Sequence, residues 1–307
     1  MTWFNFHLPL FFLNLFFTTF LTAAEPSDRV ELENHNWLSH LPNKAPLQSL
    51  HIPGTHNSAA LLEPLQGTAQ CQVLTIAQQL EAGVRFLDIR CRHQADRFAL
   101  YHGPIDQKQT FAQCQQTIAK FLTSNPREFV IVSIQETAKP RDNTRSFQET
   151  VRFYQKEAAE LWSPTTLLPK LGQVRGKAIL LRRFASKQPH GISATNWRSR
   201  GVHASETLLI QDQFKSKDLT GKWNQIQRLW KKTPQHPHLL PLNFTSGYQS
   251  NRLGLPNITA VSNGINPRLQ KRLTALPAPP PGVLVIDFIT PKLSQTILQL
   301  NFPERKP

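Results

Sequence analysis

Two histidines and one arginine of this sequence follow or close short apolar segments, where proton transfer at a phosphate ester is chemically feasible. His56 follows the turn-forming residues 53–55, Arg90 ends the apolar run 86–89, and His102 precedes a Gly-Pro turn. A neutral imidazole can take a proton from an attacking hydroxyl, and a protonated one can give a proton to a leaving oxygen. An arginine can hold phosphate oxygens through two parallel hydrogen bonds. The three residues together predict cleavage of a phosphodiester.

Each of these residues alone has an ordinary structural explanation. A histidine beside glycine or proline is usually a loop residue, and Asp88 with Arg90 can form a simple ion pair, because residues i and i+2 share one face of a strand. The combination favours the catalytic interpretation.

Short apolar, β-branched runs alternate with amphipathic stretches along the chain, a pattern typical of βα units around a parallel sheet. The predicted strands are 49–52, 84–89, 98–101, 129–134, 178–181, 208–210, 239–242 and 283–286. The predicted helices are 74–82, 111–122, 147–161, 222–230, 268–273 and 293–300.

A polar residue closes each predicted strand or follows it shortly. In chain order these residues are His56, Arg90, His102, Gln135, Arg183, Asp212, Asn243 and Asp287. In a parallel barrel the carboxyl ends of the strands share one rim, where such enzymes carry their chemistry. The sequence therefore predicts an α/β fold, a single irregular TIM-type (β/α) barrel. Full closure is not required, since some connecting helices are short or missing.

The N-terminus has the form of a secretory signal. An apolar run over residues 8–21 ends in Thr22-Ala23-Ala24 before Glu25-Pro26. Small residues at that point favour cleavage over an uncleaved membrane anchor, and the run is short for a membrane span. We expect a signal peptide over residues 1–24, a barrel domain over residues 25–307, and secretion to the extracellular space or the periplasm.

Cysteine content and charge add two further expectations. The three cysteines allow at most one internal pair, and Cys71 with Cys114 is preferred because Cys91 directly follows Arg90 in a predicted strand. The net charge of +15 favours an anionic lipid surface over nucleic acid, since no zinc finger, aromatic RNA motif or dense basic helix accompanies it. Aromatic residues expected near the rim suit either a membrane surface or core packing: Trp197, Trp223, Trp230 and Tyr248.

The motifs resemble the X region of phosphatidylinositol-specific phospholipase C, especially its bacterial, metal-independent branch. The resemblance rests on I-P-G-T-H-N-S at 52–58, G-V-R-F-L-D-I-R at 83–90 and Y-H-G-P at 101–104. It continues through N-P-R-E at 125–128, G-K-A-I-L-L-R-R-F at 176–184, Q-D-Q-F at 211–214, N-F-T-S at 243–246 and V-I-D-F-I at 285–289. The resemblance spans roughly residues 35–300, nearly the whole mature chain.

This resemblance implies a reaction and a role for each catalytic candidate. His56 would be the general base that deprotonates the inositol 2-hydroxyl, and His102 the acid that protonates the departing diacylglycerol oxygen. Arg90 would offset the developing phosphorane-like charge, and Asp287 would orient His56. Asp88 and Asn57, next to the motif arginine and the base, complete the catalytic candidates. The products would be diacylglycerol and inositol 1,2-cyclic phosphate.

The same resemblance implies the substrate site and the partner. Arg183, Asp212 and Gln135 stand where the family binds inositol hydroxyls, with Phe214 beside them. The substrate would be phosphatidylinositol, or a glycosylated phosphatidylinositol anchor, at a membrane surface. We expect a monomer with no cofactor and no nucleic-acid partner.

Three positions depart from the pattern of the bacterial branch. Asn57 replaces the aspartate that usually follows the base in the bacterial branch, Gln135 replaces a lysine, and Phe214 replaces a tyrosine. The last two changes remove polar contacts to the sugar, which weakens the case for strict inositol specificity. The calcium-dependent branch has carboxylates at the positions of Arg90 and Gln135. A guanidinium and an amide there do not form a calcium cage, so we expect no metal site.

Two other functions fit parts of the sequence. One is a related barrel phosphodiesterase of the glycerophosphodiester or sphingomyelinase D kind. Such enzymes need paired carboxylates near the second strand, where this chain has Asp88 and Arg90. The other is a catalytically idle barrel that binds anionic lipid or carbohydrate, which the retention of both histidines, Arg90 and Asp287 disfavours.

Overall fold

A computed structural model describes residues 1–3 and 33–302 of the protein. The chain divides into two compact units, Met1–Glu31 and Leu32–Pro307, and the elements below belong to the second. The signal peptide expected over residues 1–24 falls, apart from residues 1–3, outside the described residues. Among the described residues, no helix has the length and the apolar character that crossing a membrane requires.

The second unit is a mixed α/β structure whose elements alternate along the chain. Its strands are β1 (His51–Thr55), β2 (Phe86–Gln94), β3 (Arg97–His102), β4 (Ile105–Thr110), β5 (Phe129–Arg141), β6 (Lys177–Arg182), β7 (Ile192–Ser193), β8 (Val202–Ala204), β9 (Leu208–Gln211), β10 (Leu240–Phe244), β11 (Gln249–Ser250), β12 (Pro256–Asn257) and β13 (Gly282–Ile286). Its α-helices are α1 (Ile76–Glu81), α2 (Phe111–Ser124), α3 (Phe147–Glu157), α4 (Leu219–Lys232), α5 (Ile258–Thr274) and α6 (Pro291–Leu298). Single 3-10 turns lie at Asn34–His40, Leu47–Ser49, Leu171–Gln173, Thr233–Gln235 and Gln299–Asn301.

One curled sheet forms an irregular barrel, as the sequence predicts. Its strand order is β7-β6-β5-β2-β1-β13-β10-β9-β8. The pairings from β7 through β9 are all parallel, and only β8 runs antiparallel at its edge. Within residues 33–302 no strand pairing joins β7 to β8, so the barrel is open on that side.

Alternate residues of each strand supply two separate apolar layers. The barrel interior contains Ile52, Phe86, Ile131, Leu181, Ile210 and Val285. The layer between the sheet and the helices contains the alternate strand residues, among them Leu87, Val132 and Leu180. Side chains of successive strand residues point to opposite faces, so an apolar run covered on both faces is what a parallel sheet requires. Gly54 faces inward where space is limiting: a Cβ there would lie 2.9 Å from Val283 Cγ1.

The predicted helices are present, and one is longer than predicted. Thr110 caps α2, since its side chain accepts from the backbone N–H of Gln113. The expected helix 268–273 is only the end of α5, which begins at Ile258 and contains Pro267. A proline normally interrupts a helix, because it lacks the backbone N–H and clashes with the preceding turn. The buried face of Val261, Ile265 and Leu269 continues past the proline and holds the helix together.

The third predicted strand is wrong in its direction. Residues 98–101 fall in β3, which runs antiparallel to β2 and forms a hairpin with it instead of a parallel barrel strand. The apolar pattern of the segment does not distinguish the two directions. The two-residue turn at Ala95 and Asp96, both at positive φ, makes the hairpin possible.

The preferred cysteine pair is also wrong, because Cys71, Cys91 and Cys114 are all buried free thiols. Cys91 and Cys114 lie in the layer between sheet and helices, whereas Cys71 belongs to a separate small cluster with Ala60 and Ile258. Core packing also accounts for Trp223 and Trp230, which are buried.

Candidate active site

The candidate site residues continue the inward alternation of the strands beyond the last apolar layer of the barrel. Two or four residues after an inward apolar side chain, each strand carries a polar one, which therefore points to the same side. The pairs are Ile52 and His56, Phe86 and Arg90, Ile131 and Gln135, Leu181 and Arg183, Ile210 and Asp212, and Val285 and Asp287. Six of the eight predicted rim residues thus converge from six different strands. Asn243 does not: its buried side chain donates to Ile226 O of α4 at 3.1 Å and so points toward the helices.

These side chains surround a pocket of about 520 Å³ at the carboxyl ends of the strands. It is lined by His56, Arg90, His102, Gly103, Gln135, Thr137, Arg183, Ala194, Thr195, Trp197, Ser199, Asp212, Phe214, Gly247, Tyr248 and Ile258. Asn57, Asp88 and Asp287 are buried and do not line it. Seven of the ten predicted site residues thus line the pocket, and the other three do not.

Hydrogen bonds determine the protonation state of His56. Arg90 Nη2 lies 2.8 Å from His56 Nε2, and Asp287 Oδ1 lies 2.7 Å from His56 Nδ1. A guanidinium only donates, so Nε2 must be the acceptor and the ring proton sits on Nδ1, where it is donated to Asp287. Asp287 is held in turn by the backbone N–H of Gly247 at 3.0 Å. His56 is therefore a neutral imidazole whose basic nitrogen faces the pocket, as a general base requires.

Buried Asp88 orients two arginines of the rim. Its carboxylate accepts from Arg90 Nε and from Arg183 Nη1, each at 3.2 Å, and from the backbone N–H of Asn57 at 3.2 Å. Burial by itself would raise the pKa of Asp88, but the charges of Arg90 and Arg183 lower it to about 2. Asp88 is therefore an anion at neutral pH, and its carboxylate holds both guanidinium groups in place.

Arg90 keeps part of its donor capacity for a ligand. Burial tends to lower its pKa, and the neighbouring carboxylates Asp88 and Asp212 raise it on balance, so the group stays charged. Among the described residues its hydrogen bonds go to Asp88 and His56 only, which leaves N–H donors free in a pocket-lining side chain. An anionic oxygen is the ligand that such donors fit.

His102 reaches the rim through the β2–β3 hairpin. Cys91 pairs with Leu100, so β3 returns His102 to the level of Arg90. Its ring lies edge-on to His56 with centroids 6.2 Å apart. The Nδ1–H donates to Ala69 O at 2.5 Å, which leaves Nε2 as the other reactive nitrogen. The sequence predicts His102 at the end of a parallel barrel strand. In the structure His102 reaches the rim because β3 is the second strand of a hairpin with β2.

Burial, together with the positive charge of Arg90, lowers the pKa of His102 to about 4. An anion bound between Arg90 and His102 would have the opposite effect. The ligand-free site therefore disfavours the protonated form that a general acid needs, and a phosphate ester would restore it.

Arg183 and Asp212 form the far wall of the pocket with Trp197. Arg183 Nη2 lies 3.8 Å from Asp212 Oδ2, and its guanidinium stacks over the indole of Trp197 at 3.8 Å. The indole N–H donates to Asp212 Oδ2 at 2.7 Å. Trp197 comes from the segment between β7 and β8, on the open side of the barrel. A charged pair of this kind offers both donors and acceptors to the hydroxyls of a polyol.

Gln135 and Phe214 line the same pocket with different character. Gln135 Oε1 is buried and has no hydrogen-bond partner, so its acceptor is free for a ligand. Phe214 is 41% exposed and packs at a tilt against Tyr248 with ring centroids 6.0 Å apart. The two rings form an aromatic part of the pocket wall. Tyr248 carries a phenol hydroxyl, which Phe214 does not.

Asn57 acts on the backbone of the turn that carries His56. It has φ of 38°, in the left-handed region that asparagine tolerates better than most residues. Its backbone N–H contacts Asp88, while its side-chain Nδ2 is buried without a hydrogen-bond partner. These contacts provide a conformational reason for asparagine at this position.

Gln72 is a site residue that sequence reasoning missed. Its side chain is fully buried and donates to His56 O at 3.0 Å and to Ile286 O at 2.8 Å, while it accepts from Ile289 N–H at 3.3 Å. It therefore ties the loop of the base to the strand end of Asp287. The two segments are more than two hundred residues apart in sequence, and no local pattern around Gln72 indicates such contacts.

Comparisons with known proteins show what this chain is similar to. Residues 43–184 match the family described as phosphatidylinositol-specific phospholipase C, X domain. The 1-phosphatidylinositol phosphodiesterase of Listeria monocytogenes is 28% identical over 277 residues, which cover 86% of this chain and 84% of that protein. The enzyme of the same name from Staphylococcus aureus strain Newman is 24% identical over 289 residues, 87% of this chain and 92% of that one.

Solved structures show the same fold. The phosphatidylinositol-specific phospholipase C of S. aureus aligns with a TM-score of 0.78 at 23% identity, covering 86% of this chain and 97% of that one. The L. monocytogenes enzyme aligns with a TM-score of 0.72 at 23% identity, covering 87% and 98%. The resemblance to the phosphatidylinositol-specific phospholipase C X-domain family, and to its bacterial branch, is confirmed. So is the irregular TIM-type barrel.

Proposed function

We propose that the protein is a phosphatidylinositol-specific phospholipase C that cleaves its substrate into diacylglycerol and inositol 1,2-cyclic phosphate. The observation that carries the proposal is the neutral His56, whose Nε2 faces Arg90 and a pocket that His102 closes from the other side. Base, cation and acid thus surround one site that is large enough for an inositol phosphate.

In the first part of the reaction, the inositol 2-hydroxyl replaces Arg90 at His56 Nε2 and gives its proton to that nitrogen. The hydroxyl oxygen forms a bond to the neighbouring phosphorus. Asp287 stabilises the resulting imidazolium through Nδ1–H, and Arg90 turns its free donors toward the phosphate oxygens. Asp88 keeps Arg90 in place during this change, because its contact is to Nε and not to the displaced Nη2.

In the second part, the bond between phosphorus and the diacylglycerol oxygen breaks. His102, protonated while the anionic phosphodiester is bound, gives its Nε2 proton to that oxygen. The reaction leaves His56 protonated and His102 neutral, so one proton must return from the first to the second through solvent before the next turnover. The chemistry needs only groups of this chain, with Arg90 as the cation.

Arg183, Asp212 and Gln135 would bind the remaining inositol hydroxyls, and Phe214 with Tyr248 would cover one face of the ring. We propose further that residues 1–24 are a signal peptide, that residues 25–307 are the barrel domain of a secreted monomer, and that it acts at a lipid surface. The net charge of +15 supports attraction to anionic lipid.

The test is a product assay by ³¹P NMR on phosphatidylinositol vesicles, with and without chelator. We expect inositol 1,2-cyclic phosphate in both cases. Exchange of either catalytic histidine, His56→Ala or His102→Ala, should lower kcat by about 10²–10⁴-fold. The exposed His238→Ala protein is the matched control and should keep full activity.

Other outcomes would favour the alternatives. Activity lost with chelator and restored by Mg²⁺, on glycerophosphodiesters or sphingomyelin, would indicate the metal-dependent barrel phosphodiesterases. Vesicle binding with no product after long incubation would indicate a binding module. Release of proteins from glycosylated phosphatidylinositol anchors in the same assay would extend the substrate range.

A further inference from the structure

Cys71 lies against the catalytic groups although the reaction does not need a thiol. Its Sγ is 3.6 Å from His102 Nδ1, and its backbone is fixed by hydrogen bonds to Ala60 O and from Phe288 N–H, at 2.9 and 2.7 Å. Phe288 directly follows Asp287. The thiol is thus held at the back of the site by the same strand end that carries the carboxylate partner of His56.

Three potential metal ligands meet at this point. His56 Nδ1, Cys71 Sγ and a carboxylate oxygen of Asp287 all lie within 4.8 Å of one another. The three side chains are buried, with exposed fractions of 6%, 0% and 1%. It is the one such group of three among the residues described.

The ligand set and its size suit a borderline-soft divalent cation. Zinc binds thiolate at about 2.3 Å and imidazole nitrogen or carboxylate oxygen at about 2.0–2.2 Å, so tetrahedral ligand atoms lie roughly 3.3–3.7 Å apart. The site would have to open slightly between His56 and Asp287, now 2.7 Å apart, and close slightly toward Cys71. Calcium and magnesium need six or more oxygen ligands and do not fit.

We propose that His56 Nδ1, Cys71 Sγ and the Asp287 carboxylate form an inhibitory binding site for Zn²⁺ or a cation of similar softness. The cation binds the Nδ1 lone pair, the Cys71 thiolate and the carboxylate that supports the base; the ring proton moves from Nδ1 to Nε2, and the thiol proton of Cys71 leaves to solvent. Nε2 then already carries a proton and no longer accepts that of the substrate. His102 lines the pocket and contacts Cys71, and the cation enters by displacing this ring.

Such a site blocks the enzyme without being part of its reaction. Phosphatidylinositol cleavage then proceeds in chelator and stops when zinc is added. Metal binding itself does not depend on the proposed function, whereas the inhibition does. The experiment therefore has one arm for each.

The binding arm uses Co²⁺ as a spectroscopic substitute for zinc on the full-length protein. A thiolate bound to Co²⁺ gives a charge-transfer absorption in the near ultraviolet. We expect this band in the native protein and in Cys114→Ala, a control whose thiol lies in the apolar layer between sheet and helices. The band should be absent from Cys71→Ala and Cys71→Ser and should disappear from the native protein when Zn²⁺ is added.

The inhibition arm measures the zinc concentration that halves activity, with each protein compared with its own metal-free rate. We expect Cys71→Ala to need at least about tenfold more zinc than the native protein or Cys114→Ala. Circular dichroism shows whether each variant is folded, and Cys71→Ser, which keeps the side-chain volume, replaces Cys71→Ala if the latter is not.

Three results would overturn the proposal: no thiolate band in the native protein at saturating Co²⁺, an equal band in a folded Cys71 variant, or equal zinc sensitivity of the native and Cys71 proteins. A Cys71-dependent band in a protein that does not cleave phosphatidylinositol would leave the metal site standing and reject the proposed function instead.

Discussion

The two ends of the barrel both contain a buried arginine paired with a carboxylate, yet the two pairs are built differently. At the amino end, Arg85 and Glu128 are both fully buried and meet at 2.8 Å. Arg85 also donates to the carbonyl oxygens of Leu80, Val84 and His35, and Glu128 accepts from Ser39 N–H. Nearly every donor and acceptor of this pair is used within the protein.

At the carboxyl end, Arg90 and Asp88 meet at 3.2 Å, and the arginine is 16% exposed. Asp88 is shared with Arg183, and Asp212 lies 3.8 Å from Arg183, so among residues 33–302 Arg90 keeps N–H donors that no carboxylate accepts. Gln135 Oε1 and Ser246 Oγ are buried without partners.

The difference indicates what each end is for. Buried polar groups that satisfy one another stabilise a fold, whereas unsatisfied donors around a pocket cost stability and become useful only when a ligand binds. The same residue types thus stabilise the barrel at one end and leave donors free to bind an anion at the other.

Of the exchanges that compare the two ends, Arg90→Met should have the largest effect on activity. Arg90→Met removes the donors aimed at the phosphate and should lower kcat by about 10²–10³-fold. The free energy of unfolding should change little, because Asp88 keeps its contact with Arg183. Steady-state kinetics on phosphatidylinositol together with urea unfolding measure both effects. A loss of stability with unchanged kcat would show that the carboxyl-end arginine serves the fold and not the reaction.

The matched exchange at the amino end should have the opposite result. Arg85→Met leaves Glu128 buried and unpaired and should lower the free energy of unfolding by about 3–5 kcal/mol. The kcat of the remaining folded protein, measured at low temperature, should stay within about twofold of the native value. A large change in kcat without destabilisation would show that the two ends are not independent.

Lys222 provides a pH-dependent comparison. It is fully buried on α4, donates to Gln213 O at 2.8 Å, and burial lowers its pKa from 10.5 to about 8. Between these two values the unfolded chain binds the proton more tightly, so the cost of burying the charge is present below pH 8 and fades as the pH rises to 10.5. It amounts to about 3 kcal/mol.

The Lys222→Met protein does not carry this cost. Its free energy of unfolding relative to the native protein should therefore fall by about 2–3 kcal/mol between pH 7 and pH 10. Urea unfolding of both proteins at several pH values measures the difference, and titrations common to both cancel. A difference that is constant with pH would contradict the low pKa.

Loss of the Gln72 crosslink should affect both stability and catalysis. Gln72→Leu leaves the carbonyls of His56 and Ile286 without a donor and should cost about 1–3 kcal/mol. Because the base and Asp287 lose their common tie, kcat should fall by about tenfold while KM changes less. Gln70→Leu is the control, since that side chain bonds only to Gln72 O. Equal kinetics for the two variants would mean that Gln72 supports the fold alone.

The smallest expected effect is a difference between the pH dependence of kcat/KM and that of kcat, caused by His102. His102 must be protonated to act as the acid, and activity falls as the pH rises through its pKa. That pKa is about 4 in the free protein and higher when the anionic substrate is bound. The alkaline limb of kcat/KM, which reports the free enzyme, should therefore lie about one unit or more below that of kcat. Coincident limbs would show that the substrate does not restore the proton.

The sequence by itself determines seven of the barrel strands and most of the polar residues at their carboxyl ends. Apolar runs such as 129–134 and 283–286 are covered on both faces, and this property is visible without coordinates. The inward alternation from Ile52 to His56 or from Val285 to Asp287 also follows from strand geometry alone. Local chemistry was sufficient because each of these residues is placed by its own strand.

Only the tertiary structure decided the direction of β3, the course of α5 through Pro267, the role of Gln72 and the position of Cys71 beside the base. Each depends on contacts between segments distant in sequence, which no local period encodes. The tautomer of His56 belongs to the same class, because Arg90 and Asp287 reach the ring from different strands. The sequence thus supplied the catalytic side chains, and the fold decided which atom of each is free to react.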